Sequence, residues 1–119
     1  MDTLFLHGFT VETLIGVYEW ERKQCQQLLL DLDIGTDFHI SAHSDDIKDT
    51  IHYGELAETL RELLIDQEFF LLEALAEYIA QFILSRYSIE WVKVKIVKPG
   101  ILSGVEQVGV QIKRYKNKK

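Results

Sequence analysis

Five side chains in this sequence are placed where they could do chemistry. Lys98 shares the parity of Val92, Val94 and Ile96, so it belongs to the apolar set of an alternating segment. Two readings stand for it. Its long stem carries the ammonium out to water, or the charge is held beside the Pro99-Gly100 turn for moving protons. Glu73 opens a helical stripe. There it offsets the positive end of the helix dipole, or it joins the backbone N–H groups that an opening turn leaves free. A carboxylate beside such donors matches a ring edge with an amino group, a ring N–H and a carbonyl in a row, as guanine or a pterin presents. The sequence leaves the cap and the ring anchor both open. Tyr53, in Ile51-His52-Tyr53-Gly54, is a packed interfacial aromatic or a phenol that exchanges protons near a ligand. Glu19 and Glu21 follow Gly16 in a loop, where carboxylates are ordinarily solvated.

Other chemistries find little support. His39 and His43 stand four apart, but their segment is polar and does not read as helical. His-X-His and His-Glu-X-X-His are absent, and there is one cysteine, so no metal site is expected. Phosphate loops, dinucleotide fingerprints and a Gly-X-Ser-X-Gly elbow are absent too, and no cofactor is expected.

The elements that must position these groups follow from periodicity. Thr3 to Gly16 is rich in β-branched and aromatic residues and predicts a long strand, with a bulge at Gly8 and a turn at Gly16. Gln24 to Phe38 alternates, with Leu28, Leu30, Leu32 and Ile34 on one face and Asp31 and Asp33 on the other. His39 to His52 is polar and irregular. Leu56, Leu60, Leu63 and Leu64 form a helical stripe. After the turn Asp66-Gln67-Glu68, a second helix runs from about Leu72 to Tyr87 on the stripe Leu72, Leu75, Ala76, Ile79 and Ile83. Trp91 to Lys98 and Val105 to Tyr115 alternate as two further strands. The order ββααββ predicts an α+β fold, an antiparallel four-stranded sheet with two helices on one face. Such a sheet has two open edges that must be blunted or paired with another copy.

With 119 residues, 47% of them apolar and 27% charged, the chain reads as a single globular domain, 1–119, with a modest core. Depth for a pocket then has to come from a neighbouring subunit. The net charge of −6 argues against nucleic-acid or anionic-membrane partners. The exception is the C-terminal run Lys113, Arg114, Lys116, Lys118 and Lys119, read as a solvated tail. The lone Cys25, the lack of a signal-like stretch before the first strand and the lack of a spanning apolar run lead to the expectation of a cytoplasmic protein.

Six short blocks carry a more specific signal. They are Gly16-Val17-Tyr18-Glu19-Trp20-Glu21, Ser44-Asp45-Asp46, Tyr53-Gly54-Glu55-Leu56-Ala57-Glu58, Leu72-Glu73-Ala74-Leu75-Ala76-Glu77, Lys98-Pro99-Gly100 and Val108-Gly109-Val110. In this order and spacing the chain resembles the dihydroneopterin aldolase family from end to end. The resemblance implies the tunnelling fold, in which sheets of four subunits join into a barrel and two rings stack into a homo-octamer with active sites between subunits. It implies a lyase of folate biosynthesis that cleaves dihydroneopterin to hydroxymethyl-dihydropterin and glycolaldehyde, without metal, by a retro-aldol reaction. The substrate's own C=N bond serves as electron sink, so neither a lysine Schiff base nor a Lewis acid is needed. It also implies epimerisation to dihydromonapterin, since glycolaldehyde can add back on either face. By position, Glu73 resembles the pterin anchor, aided by backbone groups around Leu72, and Lys98 the proton shuttle. Tyr53, from a neighbouring subunit, resembles the group that assists protonation of the enol intermediate. Glu21 resembles the residue that orients the trihydroxypropyl tail.

Two alternatives compete. One is dihydroneopterin triphosphate epimerase, which shares the fold. A triphosphate calls for a cationic rim, and no basic cluster lies near the motif residues in sequence. The other is a non-catalytic pterin- or purine-binding oligomer, for which neither Lys98 nor Tyr53 would be required.

Overall fold

The computed structural model describes residues 1–116, without the Ile101 side chain. Lys118 and Lys119, from the basic C-terminal run, lie outside the described residues. β1 (Asp2–Ile15) and β2 (Gln26–Thr36) form an antiparallel pair, and β2 continues into β4 (Trp91–Leu102) and β5 (Val105–Tyr115). The alternation of β2 works as read. Leu28, Leu30, Leu32 and Ile34 are fully buried, and Val92, Val94 and Ile96 of β4 are buried beside them. Each such side chain contributes about 1.5–3 kcal/mol of transfer free energy. The bulge expected in β1 is present. The register with β2 shifts between Leu6 and Phe9, and Gly8 there has φ 70°.

Helices α2 (Tyr53–Ile65) and α3 (Leu72–Arg86) cover one face of the sheet through the stripes read from the sequence. Leu56, Leu60 and Leu64 are buried on α2, while Leu63, read as part of that stripe, is only half-buried at its edge; Leu72, Leu75, Ala76, Ile79 and Ile83 are buried on α3.

Besides β4, which runs on through Pro99 and Gly100 where the sequence reading ended the strand at Lys98 and placed a turn, three features differ from the sequence reading. First, the sheet has a fifth strand. β3 (Glu68–Phe69) pairs parallel with Leu14 and Ile15, giving the order β3-β1-β2-β4-β5 and a mixed sheet. A two-residue strand has no periodicity to read, and tertiary pairing alone makes it. Second, His39–Ser44 forms a short helix, α1, where irregular chain was expected. One turn closes because His43 Nδ1 bonds the His39 carbonyl at 2.8 Å and Asp45 ends the helix in the left-handed region at φ 55°. Third, the described members of the basic run are held on the fold and do not form a free tail, although Lys113 is exposed and Arg114 and Lys116 are half-buried. Arg114 Nε donates to Glu77 at 2.9 Å, Lys113 Nζ lies 4.3 Å from the Trp91 ring centroid, and Lys116 Nζ donates to the Leu84 and Tyr87 carbonyls. They bind the end of β5 to α3 and β4.

Among the described residues, β5 has one sheet neighbour, and β1 has β3 beside only its last two residues. Both sheet edges are therefore largely open. No helix among the described residues is long and apolar enough to cross a membrane.

Candidate active site

β4 carries Lys98 just past the last residue paired with β2, opposite Val108 of β5. Its side chain is only 12% exposed, and it does not reach out to bulk water. The ammonium ends 2.6 Å from Glu21 Oε2. Glu21 itself is 2% exposed, so the sequence reading of it as an ordinary solvated loop carboxylate does not hold. It sits in a 3-10 turn, Glu19–Arg22, whose chain direction is set by Gly16 at φ 126°. A Cβ on Gly16 would lie 2.3 Å from the Glu21 carboxylate, so only glycine leaves room for that side chain to fold back. The other carboxylate oxygen accepts from the Tyr18 N–H at 3.2 Å, and the Gln26 amide donates to the Glu21 carbonyl at 3.4 Å.

Burial alone would push the Glu21 carboxyl up. The Lys98 ammonium and the Tyr18 N–H, which bond its charged form, outweigh that and hold it below the usual carboxylate range. Removing either charge would leave the other poorly solvated, so the two act as one unit.

α3 delivers the second group of residues. Leu71 precedes it without a side-chain cap, so the first N–H groups of the helix have neither a capping side chain nor an intrahelical acceptor. Leu72 is buried, and Glu73, in the first turn, is exposed. The parallel pairing of β3 with β1 brings this helix start against the Gly16 loop, through the Gly16 N–H to Phe69 carbonyl bond of 3.2 Å. Lys98, Glu21, Leu72 and Glu73 thus line one cleft of about 310 Å³, closed on the sheet side by Val108, Gly109 and Val110. Val17, Tyr18, Phe70, Leu71 and Leu102 also line it, yet all are exposed.

Tyr53 is not in this cleft. It is the first residue of α2 and 63% exposed. Two residues on, Glu55 pairs with Arg86 at 2.5 Å, which puts the start of α2 beside the end of α3. Glu73 lies at the other end of α3, about 20 Å away along the helix. Within one chain Tyr53 and Lys98 are therefore apart. A larger polar groove of about 510 Å³, lined by Thr50, Ile51, His52, Glu55 and Arg86 among others, lies next to Tyr53 in the sequence but holds none of the other candidate residues. The sequence reading also left Arg22 without a role and gave no sign that Glu21 and Lys98 would pair.

The profile of the family described as FolB: Dihydroneopterin aldolase matches residues 4–113. The chain belongs to the dihydroneopterin aldolase family. It is 38% identical to dihydroneopterin aldolase of Escherichia coli (strain K12) over 119 residues, covering all of this chain and 98% of that one. The Haemophilus influenzae dihydroneopterin aldolase is 33% identical over 114 residues, 96% of this chain and 97% of that protein. The crystal structure of the E. coli dihydroneopterin aldolase in complex with neopterin superimposes with a TM-score of 0.91 over 96% of this chain and 99% of that one. The α+β architecture read from the sequence is that of solved members of the dihydroneopterin aldolase family, with the short parallel β3 as a detail. The protein is an enzyme of this family, which serves folate biosynthesis.

Proposed function

We propose that residues 1–119 act as a single aldolase domain that cleaves dihydroneopterin in the cleft between the Gly16 loop and the start of α3. The observation that carries this reading is the Lys98–Glu21 pair at 2.6 Å in the same cleft as Leu72 and Glu73. One wall offers an acceptor and free N–H donors for a pterin edge. The other offers a buried ammonium whose position is fixed.

In this reading Glu73 accepts from the ring's amino group and ring N–H, while an N–H at the opening of α3 donates to the ring carbonyl. Glu21 orients the trihydroxypropyl tail and holds Lys98. The Lys98 ammonium gives a proton to the ring imine nitrogen, and through water recovers one from the tail's second hydroxyl. The bond between the first and second tail carbons breaks. Its electron pair forms a double bond between the ring and the first tail carbon, and glycolaldehyde leaves. The phenol of Tyr53 protonates that first carbon, and the proton on the ring nitrogen returns through Lys98 and water to the phenolate. No electrons are gained or lost, and every proton is returned. Re-addition of glycolaldehyde on the other face would give the epimer. Positioning and proton transfer are the only tasks left to the protein.

Tyr53 is distant from Lys98 within one chain, so this chemistry requires a second copy. The open edges of β1 and β5 and the apolar rim around the cleft support a ring of subunits, and we assign the assembly as a cytoplasmic octamer with sites between subunits. A triphosphorylated substrate fits less well. Lys98 is neutralised by Glu21, and Arg22 is engaged with backbone carbonyls, so the cleft of one chain offers a phosphate no free cation among its described residues. A purely binding role would leave the buried Lys98–Glu21 pair without purpose.

The test is incubation of purified protein with dihydroneopterin and assay of glycolaldehyde, followed by mixing inactive Tyr53→Phe and Lys98→Ala subunits. Release of glycolaldehyde and partial recovery in hybrids are expected. No glycolaldehyde from the unmodified protein would overturn the aldolase reading. No recovery after verified subunit exchange would overturn the shared site.

A further inference from the structure

Arg22 neighbours the site residue Glu21 in sequence but does not line the cleft. Its guanidinium, on a side chain 23% exposed, lies behind both cleft walls at once. Nη1 donates to the Phe69 carbonyl at 2.7 Å and to the Gly16 carbonyl at 3.3 Å. The guanidinium carbon lies 4.3 Å from the centroid of the Phe70 ring, close enough for cation–π attraction. Its approach to Glu68, at 3.8 Å with that carboxylate 70% exposed, adds little.

These contacts have a direction. Gly16 is the floor under the Glu21 carboxylate, with no room even for a methyl group between them. Fixing the Gly16 carbonyl therefore fixes the depth at which Glu21 sits, and with it Lys98 2.6 Å away. Phe69 and Phe70 lead directly into Leu71, Leu72 and Glu73, so holding the Phe69 carbonyl and the Phe70 ring fixes the start of α3. One planar group with several donors bridges the Gly16 loop and the Phe69 segment, the latter 47 residues from Arg22 in sequence. The backbone link between them is a two-residue strand, with the Leu14 and Gly16 N–H groups on the Gln67 and Phe69 carbonyls at 3.4 and 3.2 Å, and it ends at Gly16, where the guanidinium takes over.

We propose that Arg22 is a positioning residue for the aldol cleavage, setting the separation between the proton-transfer wall (Glu21, Lys98) and the ring-anchoring wall (Leu72, Glu73). This rests on the aldolase reading of the cleft. Each wall keeps its own chemistry when Arg22 is lost, but the two fall out of register. Turnover therefore drops while binding of a ligand that uses only the ring anchor persists. Misplacement by roughly an ångström lowers rate by about tenfold to a hundredfold.

The experiment compares Arg22→Ala, Arg22→Lys and a control, Arg61→Met, with the unmodified protein. Arg61 also stacks on an aromatic ring, Phe9 at 4.7 Å, and donates to the Thr10 carbonyl, but it is not at this cleft. Steady-state cleavage of dihydroneopterin, calorimetric binding of hydroxymethylpterin and thermal melting are measured for each. For Arg22→Ala the expected result is a kcat lower by roughly tenfold to a hundredfold with hydroxymethylpterin affinity retained. Guanidinium chloride at tens of millimolar should restore part of the kcat, and the same concentration of sodium chloride should not. Arg22→Lys, which keeps the charge but not the planar fork, should lose kcat to a smaller extent, and it carries the test if the alanine variant does not fold. Arg61→Met should keep its kcat. Unchanged kcat in both Arg22 variants, or a kcat loss in Arg61→Met equal to theirs, would overturn the positioning role while leaving the aldolase reading intact. Failure of the unmodified protein to release glycolaldehyde is the separate result that overturns both.

Discussion

Glu21→Gln keeps the side chain's shape and removes its charge. The carboxylate is 2% exposed and uses both oxygens, one for Lys98 at 2.6 Å and one for the Tyr18 N–H at 3.2 Å. An amide has one acceptor, so one of these donors loses its partner and then faces an N–H₂ group. Breaking a fully buried pair costs about 3–5 kcal/mol. Here the surviving Lys98 borders an open cleft and can keep a neutral acceptor, so the loss is nearer that of one hydrogen bond to a charged group, about 2 kcal/mol. A chain of 119 residues unfolds with an entropy near 0.25 kcal/mol per degree, so Tm should fall by about 8 °C at pH 7. The pH dependence has a definite sign. The Glu21 carboxyl lies below its ordinary value in the folded protein. Its stabilisation is therefore complete above the ordinary carboxylate pKa of 4.5 and is lost as pH falls through the lowered folded value. Scanning calorimetry of both proteins from pH 7 into acid should show the Tm gap narrowing below about pH 4.5. A gap that stays constant into acid, or one below about 2 °C at pH 7, would refute the view that the Lys98–Glu21 pair is a stabilising unit.

Three other outcomes are expected. Lys98→Ala should lose turnover by roughly a hundredfold to ten-thousandfold in single-turnover assays while still binding a pterin product analogue; borohydride should trap no substrate carbon on Lys98 in the unmodified protein. Glu73→Gln should weaken pterin binding by about tenfold to a hundredfold in calorimetry, because its amide donors would face the ring's donors. Gly16→Ala should lower both Tm and kcat, since its methyl group would lie 2.3 Å from the Glu21 carboxylate on backbone at φ 126°; a crystal structure should show Glu21 displaced.

The helices and the long strands were legible because their signals are local. The stripe Leu72, Leu75, Ala76, Ile79 and Ile83 and the alternation of Leu28, Leu30, Leu32 and Ile34 repeat at the period of the element they form, and all are buried. α1 and β3 were not legible. One is a single turn closed by a His43 side-chain bond and a left-handed Asp45, and the other is a pair of residues made a strand by Leu14 and Ile15. Neither has enough residues to show a period. The Lys98 anomaly was visible as a charge on an apolar parity, but the partner that resolves it was not.

From the sequence alone come the α+β class, the buried faces, and the identity of the side chains suited to proton transfer and ring recognition, because composition and short-range periodicity encode them. Which of those side chains meet was decided by the tertiary structure. Glu21 and Lys98 are 77 residues apart, and they pair because Gly16 folds its loop back onto β4 at Lys98. Leu72 and Glu73 join them because β3 docks on β1. Tyr53, by contrast, is held at the far end of α3 by the Glu55–Arg86 pair. The reason is physical. A contact between distant segments depends on sheet register and loop closure, and both are set by the summed packing of the core, which no local stretch of sequence contains.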